Sequence, residues 1–200
     1  ALYSYAFAKS QNGKLVLRIE DTDRKRFVPG ATEKIYEILK TFSISWDEGP
    51  YVQSERVKPG IYQKYAEQLL AEGHAYYCFR EIKDKDEIED DQEQKKVNLR
   101  DENCRNLSKE EIEEKIGSGL KPAIRLRVPD NEAVSYHDFV IGKEISWQTK
   151  DIDEAMLLKS DGFPTYHLAV TIDDVVMQIS HIIRGHDWMP STPIHLLLFK

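Results

Sequence analysis

Residues 14–42, KLVLRIEDTDRKRFVPGATEKIYEILKTF, decide the fold, because they join a strand pattern to a helix pattern through a charged turn. Residues 15–20 alternate and are rich in branched side chains, which is typical of a half-buried β-strand. Residues 31–42 repeat apolar side chains at helical spacing. The segment therefore predicts a strand followed by a helix.

The same kind of alternation continues along the chain. We interpret residues 43–57 as a loop, because they are polar and contain Gly49-Pro50. The remaining patterns, in chain order, are a helix over 61–72, a strand over 74–79, a buried strand over 155–160, a helix over 167–177, a buried strand over 179–185 and a final helix with Thr192 as N-cap. Alternating strands and helices favour an α/β fold with a largely parallel sheet.

The composition changes at Arg80, which suggests an insertion. The following residues are very polar, Ser108 and Glu111 form a capping box for a short helix, and short strand patterns begin after Lys121. We therefore expect residues 1–79 and 159–200 to be two parts of one domain, and residues 80–158 to be an inserted α/β subdomain.

The overall composition excludes several classes of protein. The 200 residues are 40% hydrophobic, which is enough for a core, and the net charge of −7 argues against nucleic-acid binding driven by bulk charge. Binding of nucleic acid by a local basic patch is not excluded by the net charge. No apolar run has the length of a membrane helix, and no segment resembles a signal peptide. Both ends lie within helix patterns, so we expect both natural termini to be missing.

The two cysteines, Cys78 and Cys104, indicate a reducing compartment, hence the cytoplasm. Zinc usually takes ligands in closely spaced pairs, but the positions two residues beyond these cysteines hold Arg80 and Asn106. We therefore expect no structural zinc. The sequence also lacks a Gly-rich dinucleotide fingerprint and a Walker motif.

Glu20 is the first candidate for ligand binding. It lies at the carboxyl end of the first strand, on the same face as Arg18, where open α/β sheets bind ligands. Its carboxylate could accept hydrogen bonds from an ammonium group, and residues 24–26 could meet phosphates. The alternative is a solvated turn with internal salt bridges.

Tyr166 follows a buried strand in the same way, and offers both a hydroxyl and an aromatic face. The alternative is an aromatic at the edge of the core. We interpret the adjacent His167 as structural, because no motif places a Ser or Cys nucleophile beside it.

Arg184 ends the predicted strand over 179–185, where a buried guanidinium is costly unless it meets an anion. Its planar fork suits a carboxylate. The alternative is an internal pair with an aspartate such as Asp187 or Asp173. Trp188 offers a surface on which a base could stack.

Several strings, in order over nearly the whole chain, closely resemble the catalytic region of the glutamyl-tRNA synthetases, which are class I aminoacyl-tRNA synthetases. The resemblance weakens only over about residues 80–120. The strings are LRIEDTDRKRFVPGATEKI, WDEGPYVQSERV, YQKYAEQLLAEGHAYYCF, LLKSDGFPTYHLAVTIDD and HIIRGHDWMPSTPIHLLL. The resemblance implies a Rossmann-like parallel sheet in which residues 80–158 form an inserted subdomain that grips the tRNA acceptor stem.

The resemblance also implies an activity, the ATP-dependent attachment of L-glutamate to the 3′ end of its tRNA through glutamyl-adenylate. By matching position, Glu20 would hold the α-ammonium of glutamate. Arg184 would bind its side-chain carboxylate, and Tyr166 would line the same pocket. Selection of glutamate over glutamine would rest on Arg184, because a buried guanidinium facing a neutral amide stays unpaired.

The remaining implied contacts are with ATP and tRNA. Arg26, Asp187 and Trp188 would lie near ATP, bound as its Mg²⁺ complex, and near the tRNA 3′ end. The resemblance assigns no catalytic residue to this chain, because both ATP signature motifs of the family are absent from it. We therefore expect these 200 residues alone to be inactive, and we expect a monomer that does not contact a membrane.

Two other functions stay open beside this ligase. One is glutamyl transfer to a modified tRNA base by a shorter relative. The other is tRNA binding by a non-catalytic paralogue, although such a protein has no need of the amino-acid pocket formed by Glu20, Tyr166 and Arg184.

Overall fold

A computed structural model describes residues 1–23, 26, 28–80 and 100–200. The helices of these ranges are α1 (Leu2–Ser10), α2 (Ala31–Thr41), α3 (Gln53–Val57), α4 (Ile61–Ala71), α5 (Glu102–Arg105), α6 (Lys109–Gly117), α7 (Tyr166–Val176) and α8 (Thr192–Phe199). The strands are β1 (Val16–Ile19), β2 (Glu48–Val52), β3 (Ala75–Cys78), β4 (Ala123–Leu126), β5 (Ala133–Asp138), β6 (Lys143–Gln148) and β7 (Met156–Leu158). Short 3₁₀ helices cover Thr149–Asp151 and His186–Ser191.

The strands form a parallel pair and two antiparallel units. β1 pairs in parallel with β2, so that Arg18 lies opposite Tyr51. β3, β4 and β7 form an antiparallel sheet in that order, and β5 and β6 form a hairpin. The predicted α/β class with a parallel sheet is confirmed, although the parallel part has only two strands among the described residues.

The hydrophobic core lies between the antiparallel sheet and helices α4, α7 and α8. Tyr62 of α4, Leu126 of β4, Leu157 of β7 and Leu168 of α7 are almost completely buried there. These residues come from both sides of the predicted boundaries at residues 80 and 158, and the division into subdomains stays a prediction. Most of the polar start of the proposed insertion, residues 81–99, lies outside the described residues.

Most predicted elements are confirmed. The capping box of α6 is present, since Ser108 Oγ accepts from the Glu111 backbone and Glu111 accepts from the Ser108 backbone. Helix α8 begins at Thr192 with Ser191 as its N-cap, so the predicted cap is one residue late. None of the described helices combines the length and the hydrophobicity needed to span a bilayer.

Two predictions about whole segments are also wrong. Residues 43–57, predicted as a loop, contain β2 and α3, because pairing with β1 supplies the hydrogen bonds that the local pattern did not suggest. Residues 179–185, predicted as a buried strand, are irregular in the structure, and Ile182 is 40% exposed. A strand needs a neighbour for its ladder, and no described strand pairs with this segment.

Candidate functional site

The site begins with an arginine–glutamate pair at the end of β1. Side chains alternate along a strand, so Arg18 and Glu20 share a face, as expected. Arg18 Nε and Nη2 donate to the same carboxylate oxygen, Glu20 Oε1, at 3.2 and 2.9 Å. From the described residues no hydrogen bond reaches the other oxygen, Oε2, which leaves it available to a ligand.

A buried aspartate of α7 lies between two guanidinium groups. Asp174 Oδ1 accepts from Arg18 Nη1 at 2.7 Å, and Asp174 Oδ2 lies 3.7 Å from Arg184 Nη2. Burial raises the pKa of Asp174 above its ordinary value, while the two arginines act in the opposite direction. Asp174 is therefore the acidic neighbour of Arg184, in place of Asp187 or Asp173.

Arg184 is held on two further sides. Its Nη1 lies 2.7 Å from Nδ1 of His195, a buried residue of α8. Its guanidinium carbon lies 5.7 Å from the centre of the Tyr166 ring, which is within the range of a cation–π contact. The side chain is 21% exposed, so it is largely desolvated but can still meet a ligand.

Tyr166 connects this arginine to Trp188. Tyr166 is the first residue of α7, and its ring centre lies 4.8 Å from that of Trp188. Burial raises the pKa of the Tyr166 hydroxyl, which stays protonated at neutral pH. The structure thus brings together three predicted site residues, Tyr166, Arg184 and Trp188.

Among the described residues, no hydrogen bond or ion pair joins the side chain of Arg26 or Asp187 to Tyr166, Arg184 or Trp188. The Arg26 side chain is 86% exposed and donates from Nε to Asp23 at 2.6 Å. Asp187 is exposed in the 3₁₀ helix, and its carboxylate has no ion-pair or hydrogen-bond partner among the described residues. The neighbouring cations predicted to meet phosphates, Arg24 and Lys25, lie outside the described residues.

The first residue of the charged turn after Glu20 is anchored, whereas Arg26 stays exposed in a salt bridge within the turn. Asp21 accepts from the backbone N–H and the hydroxyl of Ser54, at 2.8 and 2.6 Å. Ser54 lies in α3, so the turn is attached to the start of that helix. This anchoring holds the carboxyl end of β1, and with it Glu20, in a defined position.

A second buried aspartate, next to Asp174 in sequence, accepts hydrogen bonds from α3 and α4. Asp173 of α7 is 0% exposed and accepts from Gln53 Nε2 at 3.0 Å, from Arg56 Nε at 3.0 Å and from the Tyr62 hydroxyl at 3.1 Å. This hydroxyl lies in an apolar and anionic setting, which raises its pKa well above the ordinary value.

Sequence reasoning missed Asp174 and His195 as parts of the site. The signal for Asp174 was present, because two adjacent acids in the otherwise apolar stretch HLAVTIDDVV are costly unless cations face them. His195, within the apolar run PIHLLLF, carries the weaker signal of a single polar residue.

The two cysteines lie in a separate cluster. The ligand atoms of Cys78, Asp101 and Cys104 are all within 4.8 Å of one another, and sequence reasoning missed Asp101. Burial raises the pKa of Cys78 to about 11, and Arg80 Nε lies 3.3 Å from Asp101 Oδ2. The described residues thus supply three donors, with a guanidinium on one of them, which does not fit a four-coordinate structural zinc. That no zinc binds stays a prediction.

A cleft of about 800 Å³ brings the charged groups to one surface. Its lining includes Arg18, Glu20, Asp174 and Arg184. One cleft can therefore present a carboxylate and a guanidinium to the same small molecule.

The profile of the family described as "tRNA synthetases class I (E and Q), catalytic domain" matches residues 1–200. The chain belongs to this family. The resemblance to the glutamyl-tRNA synthetases is thereby confirmed, and relatives agree with it. The glutamate–tRNA ligases of Finegoldia magna and Treponema denticola are 43% and 44% identical to this chain, and each alignment covers 100% of it.

Solved structures of this synthetase family have the same fold. A glutamate tRNA ligase from Elizabethkingia meningosepticum, crystallised in complex with its amino acid, superposes with a TM-score of 0.83 at 35% identity. The match covers 99% of this chain and 42% of that structure. The alignments likewise cover 44% and 41% of the two curated relatives, so the chain spans less than half the length of each.

Proposed function

We propose that this chain is the amino-acid-binding part of a glutamate–tRNA ligase. The complete enzyme would use ATP to form glutamyl-adenylate and would then transfer glutamate to the 3′ end of tRNA. The observation that supports the proposal is that Glu20 and Arg184, which carry opposite charges, both line one cleft.

The charges of glutamate match these groups. In the proposed complex, Glu20 Oε2 accepts from the α-ammonium group while Oε1 keeps its bonds to Arg18. The N–H groups of Arg184 not used by His195 donate to the side-chain carboxylate. The Tyr166 ring lies beside that guanidinium, 5.7 Å from its carbon, within the range of a cation–π contact.

Selection against glutamine follows from the charge of Arg184. A neutral amide would bring an NH₂ group to a guanidinium that has only donors, and the largely desolvated charge of Arg184 would gain no counterion from the ligand. Such a mismatch costs several kcal/mol, which corresponds to a preference of at least about 100-fold.

The contacts with ATP and tRNA belong to the same proposal. Arg26, Asp187 and Trp188 are exposed, as groups that meet a large substrate must be. Trp188 is proposed to stack on a base, and Arg26 to contact phosphate. Residues 80–158 are proposed to hold the acceptor stem, ATP to bind with Mg²⁺, and the protein to act as a monomer.

Aminoacylation by the complete protein that carries this sequence tests the proposal. Labelled glutamate or glutamine is offered with ATP and total tRNA. We expect charging with glutamate only, and we expect Arg184→Ala to reduce kcat/KM for glutamate by at least about 100-fold, because the side-chain carboxylate loses its counterion. Arg184→Lys is the matched control, since it keeps the charge but loses the planar fork, and its loss should be intermediate.

Other outcomes would contradict the proposal. Failure to charge either amino acid, with acceptor-stem binding retained, would indicate a non-catalytic tRNA-binding relative. Label recovered on an internal nucleotide after nuclease digestion would indicate transfer to a modified base.

The isolated 200 residues should not activate glutamate. The ATP motifs of the family are absent from this sequence, so stabilisation of the phosphoryl oxygens would be missing. ATP–pyrophosphate exchange measured on these residues alone, with tRNA present, should equal the background without protein. Exchange above that background would show that the chain holds a complete activation site.

A further inference from the structure

Three side chains from separate elements form a continuous chain of hydrogen bonds. Arg184 Nη1 lies 2.7 Å from His195 Nδ1, and His195 Nε2 lies 3.1 Å from His167 Nδ1. His167 belongs to α7 and His195 to α8, whereas Arg184 lies in the irregular segment 179–185. The segment that lacks a strand ladder is therefore attached to two helices through this chain.

The chemistry of arginine determines where the protons are. A guanidinium only donates, so His195 Nδ1 must accept with its lone pair. His195 then carries its proton on Nε2 and donates it to His167 Nδ1, which leaves the proton of His167 on its own Nε2. Both imidazoles must be neutral, because a second proton on His195 would place an N–H against the guanidinium, and a second proton on His167 would place an N–H against the Nε2–H of His195.

Burial and charge keep His195 neutral. The residue is 4% exposed, and burial, followed by the charge of Arg184, lowers the pKa of His195 to about 3. Among the described residues, the groups in contact with it are Arg184, His167 and the Tyr166 ring, whose centre is 5.7 Å away. None of these is an acid that could stabilise an imidazolium.

The neutrality of this acceptor matters because a charged competitor lies close by. Asp174 Oδ2 is 3.7 Å from Arg184 Nη2, which is longer than a direct hydrogen bond. Without the bond to His195, the guanidinium could move onto Asp174 and form a two-point ion pair. Such a pair would neutralise the charge that a ligand carboxylate needs.

We propose that His195 is a positioning residue, whose Nδ1 lone pair holds Arg184 in place for an anionic ligand group, and that His167 sets the tautomer that makes this possible. The inference rests on the proposed function, because it assigns the choice of glutamate partly to a residue that does not touch the substrate. A neutral imidazole holds the guanidinium without consuming its charge, which a carboxylate in the same place would do.

The tautomer is tested by ¹⁵N NMR of the protein labelled at histidine, with the His195 signals assigned by their loss in His195→Asn. We expect an unprotonated Nδ1 and a protonated Nε2 at neutral pH. A protonated Nδ1 would overturn the inference, and this measurement does not depend on any enzymatic activity.

Two variants of equal size test the role of charge in the complete protein. In His195→Asn the amide oxygen can take the place of Nδ1, so KM for glutamate should stay within about threefold of the natural protein. In His195→Asp a carboxylate occupies the same place and neutralises Arg184, so KM for glutamate should rise at least about tenfold with a much smaller change in kcat. His195→Leu lacks the acceptor and should resemble the Asp variant.

Thermal unfolding of each variant checks that it folds. A purely structural role predicts that KM follows the loss of stability, whereas positioning predicts that Asn and Asp differ in KM at equal stability. Equal KM values for the folded Asn, Asp and Leu variants would refute the inference while the ligase proposal stands. A natural protein that charges no glutamate would instead refute the ligase proposal, and the tautomer measurement would still decide the role of His195 toward Arg184.

Discussion

Burial sets the charge of individual groups around Arg184. His195 and His167 both have a lowered pKa, with desolvation as the largest cause and the positive charge of Arg184 as the next. Asp174 lies on the other side of the same guanidinium, where burial alone would favour its protonated form. The protonation state of each of these side chains therefore depends on its burial and on the charge of its neighbours.

The buried histidine makes stability depend on pH. The pKa of His195 is about 3 in the folded chain, against 6.5 as its ordinary value, so between these limits only the unfolded chain binds the proton. The free energy of unfolding should therefore fall as the pH decreases through this range, by about 1.4 kcal/mol per pH unit from this group.

Urea denaturation at a series of pH values from about 7 to about 4 measures that slope. In His195→Asn the free energy of unfolding should fall less steeply with decreasing pH, by about 1.4 kcal/mol less per pH unit. His167 will continue to contribute to the slope in both proteins. Identical slopes in the two proteins would show that His195 takes up its proton in the folded state.

At the scale of elements, β2 depends on one glycine. Gly49 has φ of +96°, and a Cβ there would collide with the carbonyl oxygen of Leu17 in the neighbouring strand. The glycine that suggested a loop in the sequence is therefore what allows β1 and β2 to approach.

Gly49→Ala should destabilise the protein by more than the roughly 1–2 kcal/mol that a left-handed conformation costs an ordinary residue, because the overlap with Leu17 is added. The midpoint of urea unfolding measures this loss. Gly30→Ala is a suitable control, since Gly30 also has positive φ but a Cβ there would meet nothing within 4 Å. Similar losses in both variants would exclude the steric part of the argument.

The capping box of α6 gives a second prediction at this scale. Ser108→Ala removes the side-chain acceptor of the Glu111 backbone N–H, so the free energy of unfolding should fall by about 1 kcal/mol. Glu113→Ala alters an exposed position of the same helix and should change it by less than about 0.5 kcal/mol. Chemical denaturation of the two variants compares them directly, and equal effects would contradict the role of the cap.

At the scale of the whole molecule, Asp173 joins regions that are distant in sequence. Its hydrogen bonds reach α3 and α4 over separations of more than 100 residues. The same carboxylate lies 3.9 Å from Arg18 of β1. The parallel pair is thus attached to α7 by two adjacent buried aspartates, Asp173 and Asp174, of which Asp174 makes the shorter contact with Arg18.

Asp173→Asn should lower the free energy of unfolding by about 3–5 kcal/mol, because Arg56 would lose its buried counterion. Asparagine has nearly the shape of aspartate, so the variant removes the charge without changing the packing. Asp187→Asn makes the same chemical change at an exposed site and should stay within about 0.5 kcal/mol of the natural protein. Urea unfolding measures both, and a loss below about 1 kcal/mol in Asp173→Asn would show that the pair contributes little.

The sequence by itself determined the features that depend on nearby residues or on whole strings. Helical spacing predicted α2, α4 and α7, and the Ser108–Glu111 pattern predicted the cap of α6. The ordered strings identified the family, and with it the proposed roles of Glu20, Tyr166 and Arg184. Periodicity and capping could be predicted because they depend on residues close together in sequence, and the family could be recognised because several strings match it in order along the chain.

Only the tertiary structure decided which groups meet across the chain. Pairing with β1 made a strand of residues 48–52, whereas residues 179–185 are irregular and pair with no described strand. The fold also places Asp174 and His195 next to Arg184. Asp174 in addition binds Arg18, which lies 156 positions earlier in the chain. Contacts over such separations depend on how the elements pack, and a local sequence pattern holds no information about that packing.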